Sequence, residues 1–167
     1  MIEWVMRLYR ALKEWEQAAA RQLLQMPVLH ADETSLRINR NNHWMHSHAP
    51  AHPAVKFMHR KRGQAAIEAI SVIPRYGAAR SRDREDGKEE PKPVLVHDRW
   101  ASCFKYDHCD HGLCGAHLLR DLQFIIDAHS HRWAERMQKL PVNANREVTA
   151  SEHKALDPTP APGVART

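Results

Sequence analysis

The chain has 167 residues, 43% of them hydrophobic and 27% charged, a balance that fits a globular protein with one real core and leaves little room for two full domains. Twenty-five Lys and Arg against twenty Asp and Glu give a net charge of +5, a mild basic bias that suits a nucleic-acid partner without requiring one. The three cysteines, Cys103, Cys109 and Cys114, fall within twelve residues, which argues against a disulfide framework and for a reducing, cytoplasmic setting.

Glu3 and Arg7 interrupt the first apolar stretch, which argues against a signal peptide or a membrane span. In that stretch Trp4, Val5, Leu8, Leu12, Trp15, Ala19 and Leu23 recur at spacings of three and four, so residues 1–26 are expected as an N-terminal helix stopped by Pro27. A strand follows around Asp32, alternating through Leu36 and Ile38, and Asn39 to Asn42 supplies turn chemistry. His43 to His48 reads as a second strand and Ala54 to His59 as a third, an antiparallel meander. Gln64 to Val72 fits a short amphipathic helix before Pro74.

Residues 78–92 hold five basic and five acidic side chains and almost nothing apolar, the composition of a flexible surface loop. Val94-Leu95-Val96 is short and β-rich, as expected of a strand buried on both faces in a parallel pair. A single helix is expected from Gly112 to Leu140, ended by Pro141. Residues 141–167, with four prolines, are expected as a disordered tail. The thirteen histidines form two groups, six from His30 to His59 and six from His97 to His131, whose partial protonation would add to the positive field.

Two apolar runs end in a histidine followed closely by an aspartate: Val28-Leu29-His30-Ala31-Asp32 and Val94-Leu95-Val96-His97-Asp98. Carboxylates carried by neighbouring strands can hold a divalent cation for phosphodiester chemistry. On a strand, Asp32 shares a side with His30 and Thr34, whereas Glu33 points away. Asp98 ends its run, at the edge where parallel sheets place ligands. The alternative stays open that Asp98 caps the following segment and Asp32 is satisfied by a Lys or Arg.

The residues His30-Ala31-Asp32-Glu33-Thr34, His43-Trp44, His59-Arg60-Lys61-Arg62-Gly63 and His97-Asp98-Arg99-Trp100-Ala101-Ser102 occur in that order, and Leu113 to Arg120 follows them. As a set they resemble the central domain of bacterial transposases of the insertion sequence 66 family, from about residue 27 to about residue 140. The resemblance implies an α/β (α+β) RNase H-like domain over 27–140: a three-strand antiparallel meander, a fourth parallel strand and flanking helices. It implies a DDE active site in which Asp32 and Asp98 are the first two catalytic metal ligands. The cofactor would be Mg2+ or Mn2+, and the activity DNA strand cleavage and transfer.

In that family the third acid lies farther on, in an Asn-rich segment carrying Ala-Glu-Arg, so the catalytic domain is expected to be incomplete at its C-terminal end and the chain inactive by itself. The family also usually has glycine where this chain has Arg99. Arg60, Lys61 and Arg62 are the expected contacts to the DNA backbone, at a strand-to-helix junction. Transposon ends and target DNA are the expected partners, with a full-length transposase as a further one, in a bacterial, nucleoid-associated location and without a membrane. Cys114 and His117, three apart at a helix start, are expected to orient the site; their region lacks a Cys-x-x-Cys knuckle, so zinc is not expected. Two rival readings remain: a DNA-binding or transposase-interacting module without catalysis, and a zinc-stabilised structural domain.

Overall fold

The computed structural model describes residues 2–50, 54–78 and 91–151. They divide into two compact units, Met1–Cys114 and Gly115–Thr167, so the division falls at Gly115, well before residue 140. The charged segment expected to be a flexible loop lies largely outside the described residues, as does the end of the expected tail.

The first unit begins with α1 (Ile2–Leu23), then β1 (Val28–Ile38), β2 (Asn41–Ala49), β3 (Val55–His59), α2 (Gln64–Ile70), β4 (Val94–His97) and β5 (Asp110–Leu113). The five strands form one sheet in the order β3-β2-β1-β4-β5. β1–β2 and β2–β3 are antiparallel, β1–β4 and β4–β5 parallel. A meander followed by a helix and a parallel strand beside the first is the RNase H-like arrangement, a mixed α/β fold.

Local chemistry sets the joints. Asn39 and Arg40 both have positive φ, 48° and 65°, and Ile38 pairs with Asn41, so the first hairpin closes in a two-residue turn of the mirror-image type whose twist suits the strands. Tyr76, fully buried, places its hydroxyl against two carbonyls, Met26 O at 3.0 Å and Val94 O at 3.1 Å. The Val94 amide donates to Pro27 O, so the starts of β1 and β4 are tied before the ladder begins. Gly77 has φ +83°, and a Cβ there would lie 2.6 Å from the His108 carbonyl, so only glycine fits this turn.

Leu29 and Leu95, both fully buried, face one another across the parallel pair and join Ile67, Val72, Ile73 and Tyr76 in the core. β4 is not covered on both faces as expected: Leu95 and His97 are buried, whereas Val94 and Val96 are half-buried. Alternation, rather than a continuous apolar run, describes this strand once His97 is counted. β5 has no apolar pattern at all and exists through its pairing with β4. Most of α1 is exposed, Trp4 at 78% and Leu8 at 59%; only Ala19, Leu23 and Leu24 at its end meet the core.

In the second unit the single helix expected from Gly112 is two, α3 (Gly115–His129) and α4 (Arg132–Ala150). Ser130, with φ 51°, breaks the run in the left-handed region. Pro141 does not end α4, which carries it inside and continues to Ala150. Thus residues 141–150 are helix rather than tail. Proline removes one amide and crowds one carbonyl, a local cost that does not forbid helical residues on either side. Gln138 donates to Gln123 across the helical pair, and Ala134 is wholly buried.

Candidate active site

The β1–β4 pairing ends at His30 opposite Val96, with Asp32 two residues farther along β1 and Asp98 just past the end of β4. Asp32 lies in the middle of β1, on its exposed side with His30 and Thr34, and accepts the Glu33 amide at 2.9 Å. It is therefore not a buried charge seeking compensation. Asp98 follows the last residue of β4, and one carboxylate oxygen accepts the Trp100 amide at 3.1 Å. Arg99 between them has φ +70°, and this left-handed turn brings Trp100 back toward the strand end. Glycine takes such a conformation without strain, which gives a physical reason for the glycine that the resemblance implies here and leaves Arg99 in a strained backbone conformation.

The other Asp98 oxygen accepts from Arg62 Nη2 at 3.2 Å, while Arg62 Nε donates to Glu33 Oε1 at 2.6 Å. Glu33 and Asp98 are 11% and 17% exposed and Arg62 is 30% exposed, so the three form a partly desolvated acid–arginine–acid bridge. The guanidinium also lies 3.8 Å from the Trp100 ring centroid and 5.1 Å from that of Trp44, a cation–π arrangement on two rings. Beneath it is a space of about 10 Å³ lined by Ala31, His46, His48, Arg62, Trp100 and Cys103 among others, room for about one water molecule.

Of the expected DNA contacts, Arg60 and Lys61 are exposed, while Arg62 is drawn into the acids. Glu33, Trp44 and Trp100 complete this cluster and carried no site signal of their own in the sequence. The spacing Glu33-Thr34 beside Asp32 is the same motif read from its other face.

Several histidines are structural. His111 Nε2 donates to the Tyr106 carbonyl at 3.2 Å, which leaves His111 Nδ1 to accept from His97 Nε2 at 3.1 Å. Burial, then the His111 ring, pushes the His97 pKa down, with Asp98 opposing. Burial and His46 push His48 down to about 4. The buried His48 and His97 rings therefore add no positive field at neutral pH, unlike what was expected of their groups. Burial likewise raises the Cys103 thiol to about 12 and Cys109 to about 11, so neither is a nucleophile.

The Cys114 amide donates to the His97 carbonyl at 2.9 Å and ends the sheet unit, whereas His117 lies in the first turns of α3. Among the described residues no three His, Cys, Asp or Glu side chains are placed to hold one metal ion. As donors, Asp32 and Asp98 are nonetheless hard carboxylates of the kind a magnesium or manganese ion takes. Ala134-Glu135-Arg136 repeats the tripeptide expected around a third acid; it sits in the first turn of α4, with Glu135 exposed.

The family model described as Transposase IS66 family matches residues 1–158. No curated protein matches the chain. Among solved structures, the catalytic core domain of HTLV-2 integrase, in complex with magnesium in a trimeric form, is 11% identical at a TM-score of 0.34, over 78% of this chain and 88% of that one. A simian T-cell lymphotropic virus intasome in complex with PP2A regulatory subunit B56 gamma is 12% identical at 0.33, over 85% of this chain and 62% of that one. The family match spans nearly the whole sequence, includes every motif gathered around Asp32 and Asp98, and leads to one conclusion: the chain belongs to the IS66 transposase family, the proteins of DNA transposition.

Proposed function

We propose that this chain carries two of the acids of a metal-dependent DNA strand-cleavage and strand-transfer site, Asp32 and Asp98. The observation that supports it best is the parallel β1–β4 pairing, whose register, continued two residues past His30 opposite Val96, would bring Asp32 level with Asp98. A divalent ion bound there, Mg2+ or Mn2+, would supply Lewis-acid activation of the attacking oxygen and stabilise the leaving one. The chain's own residues hold the geometry: the Trp100 amide fixes one oxygen of Asp98, and Tyr76 fixes the strands that carry both acids. Arg60 and Lys61, exposed beside the site, would take phosphates of transposon-end or target DNA.

With two acids where the family resemblance implies three, the 167-residue chain by itself binds DNA without cutting it, and a second polypeptide such as a full-length transposase would supply the third. The protein works beside bacterial DNA, with Cys114 and His117 orienting the segment after Asp98. A second reading, a DNA-binding or transposase-interacting module without catalysis, is favoured by one observation, the engagement of Asp98 by Arg62.

The test incubates the chain with a labelled duplex in Mg2+ and, separately, measures binding against salt. Saturable binding that weakens with salt, reduced by the Arg60→Ala/Lys61→Ala pair with the salt slope falling by about two, and no cutting, is the expected result. Robust cutting abolished by Asp32→Ala would show a complete site in this chain. DNA binding unchanged by the lysine–arginine pair would remove those contacts.

A further inference from the structure

Arg62 is bound on every side by groups that favour a cation. Its Nε meets Glu33 at 2.6 Å and its Nη2 meets Asp98 at 3.2 Å, with Trp100 at 3.8 Å against its face. Both Asp98 oxygens are thereby engaged, one by Arg62 and one by the Trp100 amide. The space of about 10 Å³ that Arg62 lines together with Asp32 and Glu33 is too small for an ion with its water shell. A divalent ion reaching Asp98 meets a positive charge within hydrogen-bonding distance of its ligand, in a partly desolvated setting where such repulsion is weakly screened.

We propose that Arg62 is a resident cation that competes with the divalent metal for Asp98, so that metal loading requires the guanidinium to leave the acid and its tryptophan face. Arg62 is then a positioning residue: without metal it neutralises Glu33 and Asp98 and holds the strand end together. Once displaced, it stands at the edge of the site beside exposed Arg60 and Lys61, where phosphate is its next partner. The proposal rests on Asp98 being a metal ligand, and its test separates the two.

Mn2+ binding is measured by the loss of the free-ion electron paramagnetic resonance signal in the wild type, Arg62→Gln, Arg62→Lys, Asp98→Asn and the Arg62→Gln/Asp98→Asn double variant. Arg62→Gln is expected to tighten binding at least about tenfold, Arg62→Lys to stay near wild type because the charge remains, and Asp98→Asn to abolish binding in both backgrounds. Equal affinity in wild type and Arg62→Gln, with binding still lost in Asp98→Asn, overturns the competition and leaves Asp98 as a ligand. Undiminished binding in Asp98→Asn overturns the ligand assignment and the competition with it. Should Arg62→Gln not fold, the wild type alone decides through its tryptophan emission. Saturating Mg2+ is expected to shift the emission as the guanidinium leaves Trp100, a shift lost in Trp100→Phe, and unchanged emission at saturation overturns the proposal.

Discussion

His48 is 3% exposed, and its pKa of about 4 against an ordinary 6.5 makes it a titrating weak point. Between those values the folded state binds fewer protons than the unfolded one. Its contribution is therefore complete above pH 6.5 and is lost as pH falls toward 4, roughly 3 kcal/mol in all. His97, also lowered by burial, acts in the same direction. Denaturant midpoints are expected to fall between pH 7 and pH 4.5, and His48→Phe to flatten that fall; an equal slope in the variant would assign it to other groups. The sequence marked His48 as one of a cluster, but burial on β2, which decides its charge, comes from tertiary packing. Asp32 and Asp98 stand out in the sequence because strand ends and alternation are local signals. Glu33 and Arg62 were not, since their union joins residues 29 apart in sequence.

Among the elements, the meander, α2 and β4 were readable because period, turn residues and β-branched runs all agree there. β5 was not, for Asp110-His111-Gly112-Leu113 has no strand pattern; the β4 edge organises it, and a Cβ at Gly112 would press on Val96 at 3.2 Å. Pro141 misleads in the opposite direction. A helix interior tolerates it at a cost of about 3 kcal/mol when the flanking residues remain helical. Pro141→Ala is therefore expected to stabilise the helical unit by about 1–3 kcal/mol and to raise its midpoint in thermal unfolding followed by circular dichroism. A lowered midpoint would mean that α3–α4 packing depends on the proline ring.

The whole molecule is a basic chain with no described helix long and apolar enough to cross a membrane, and its sheet unit carries Asp32 on β1 and Asp98 just past β4. The mixed five-strand order sets the strands that lead to these two residues, 66 apart in sequence, side by side in parallel. The fold was thus accessible from sequence through resemblance, whereas the arginine bridge between Glu33 and Asp98 required three dimensions. Calorimetric titration of Mn2+ into the wild type, Asp32→Asn and Asp98→Asn tests the central claim most directly. Saturable binding in the wild type that disappears in both variants, with circular dichroism unchanged, is the predicted result; an isotherm in either variant equal to that of the wild type would contradict it.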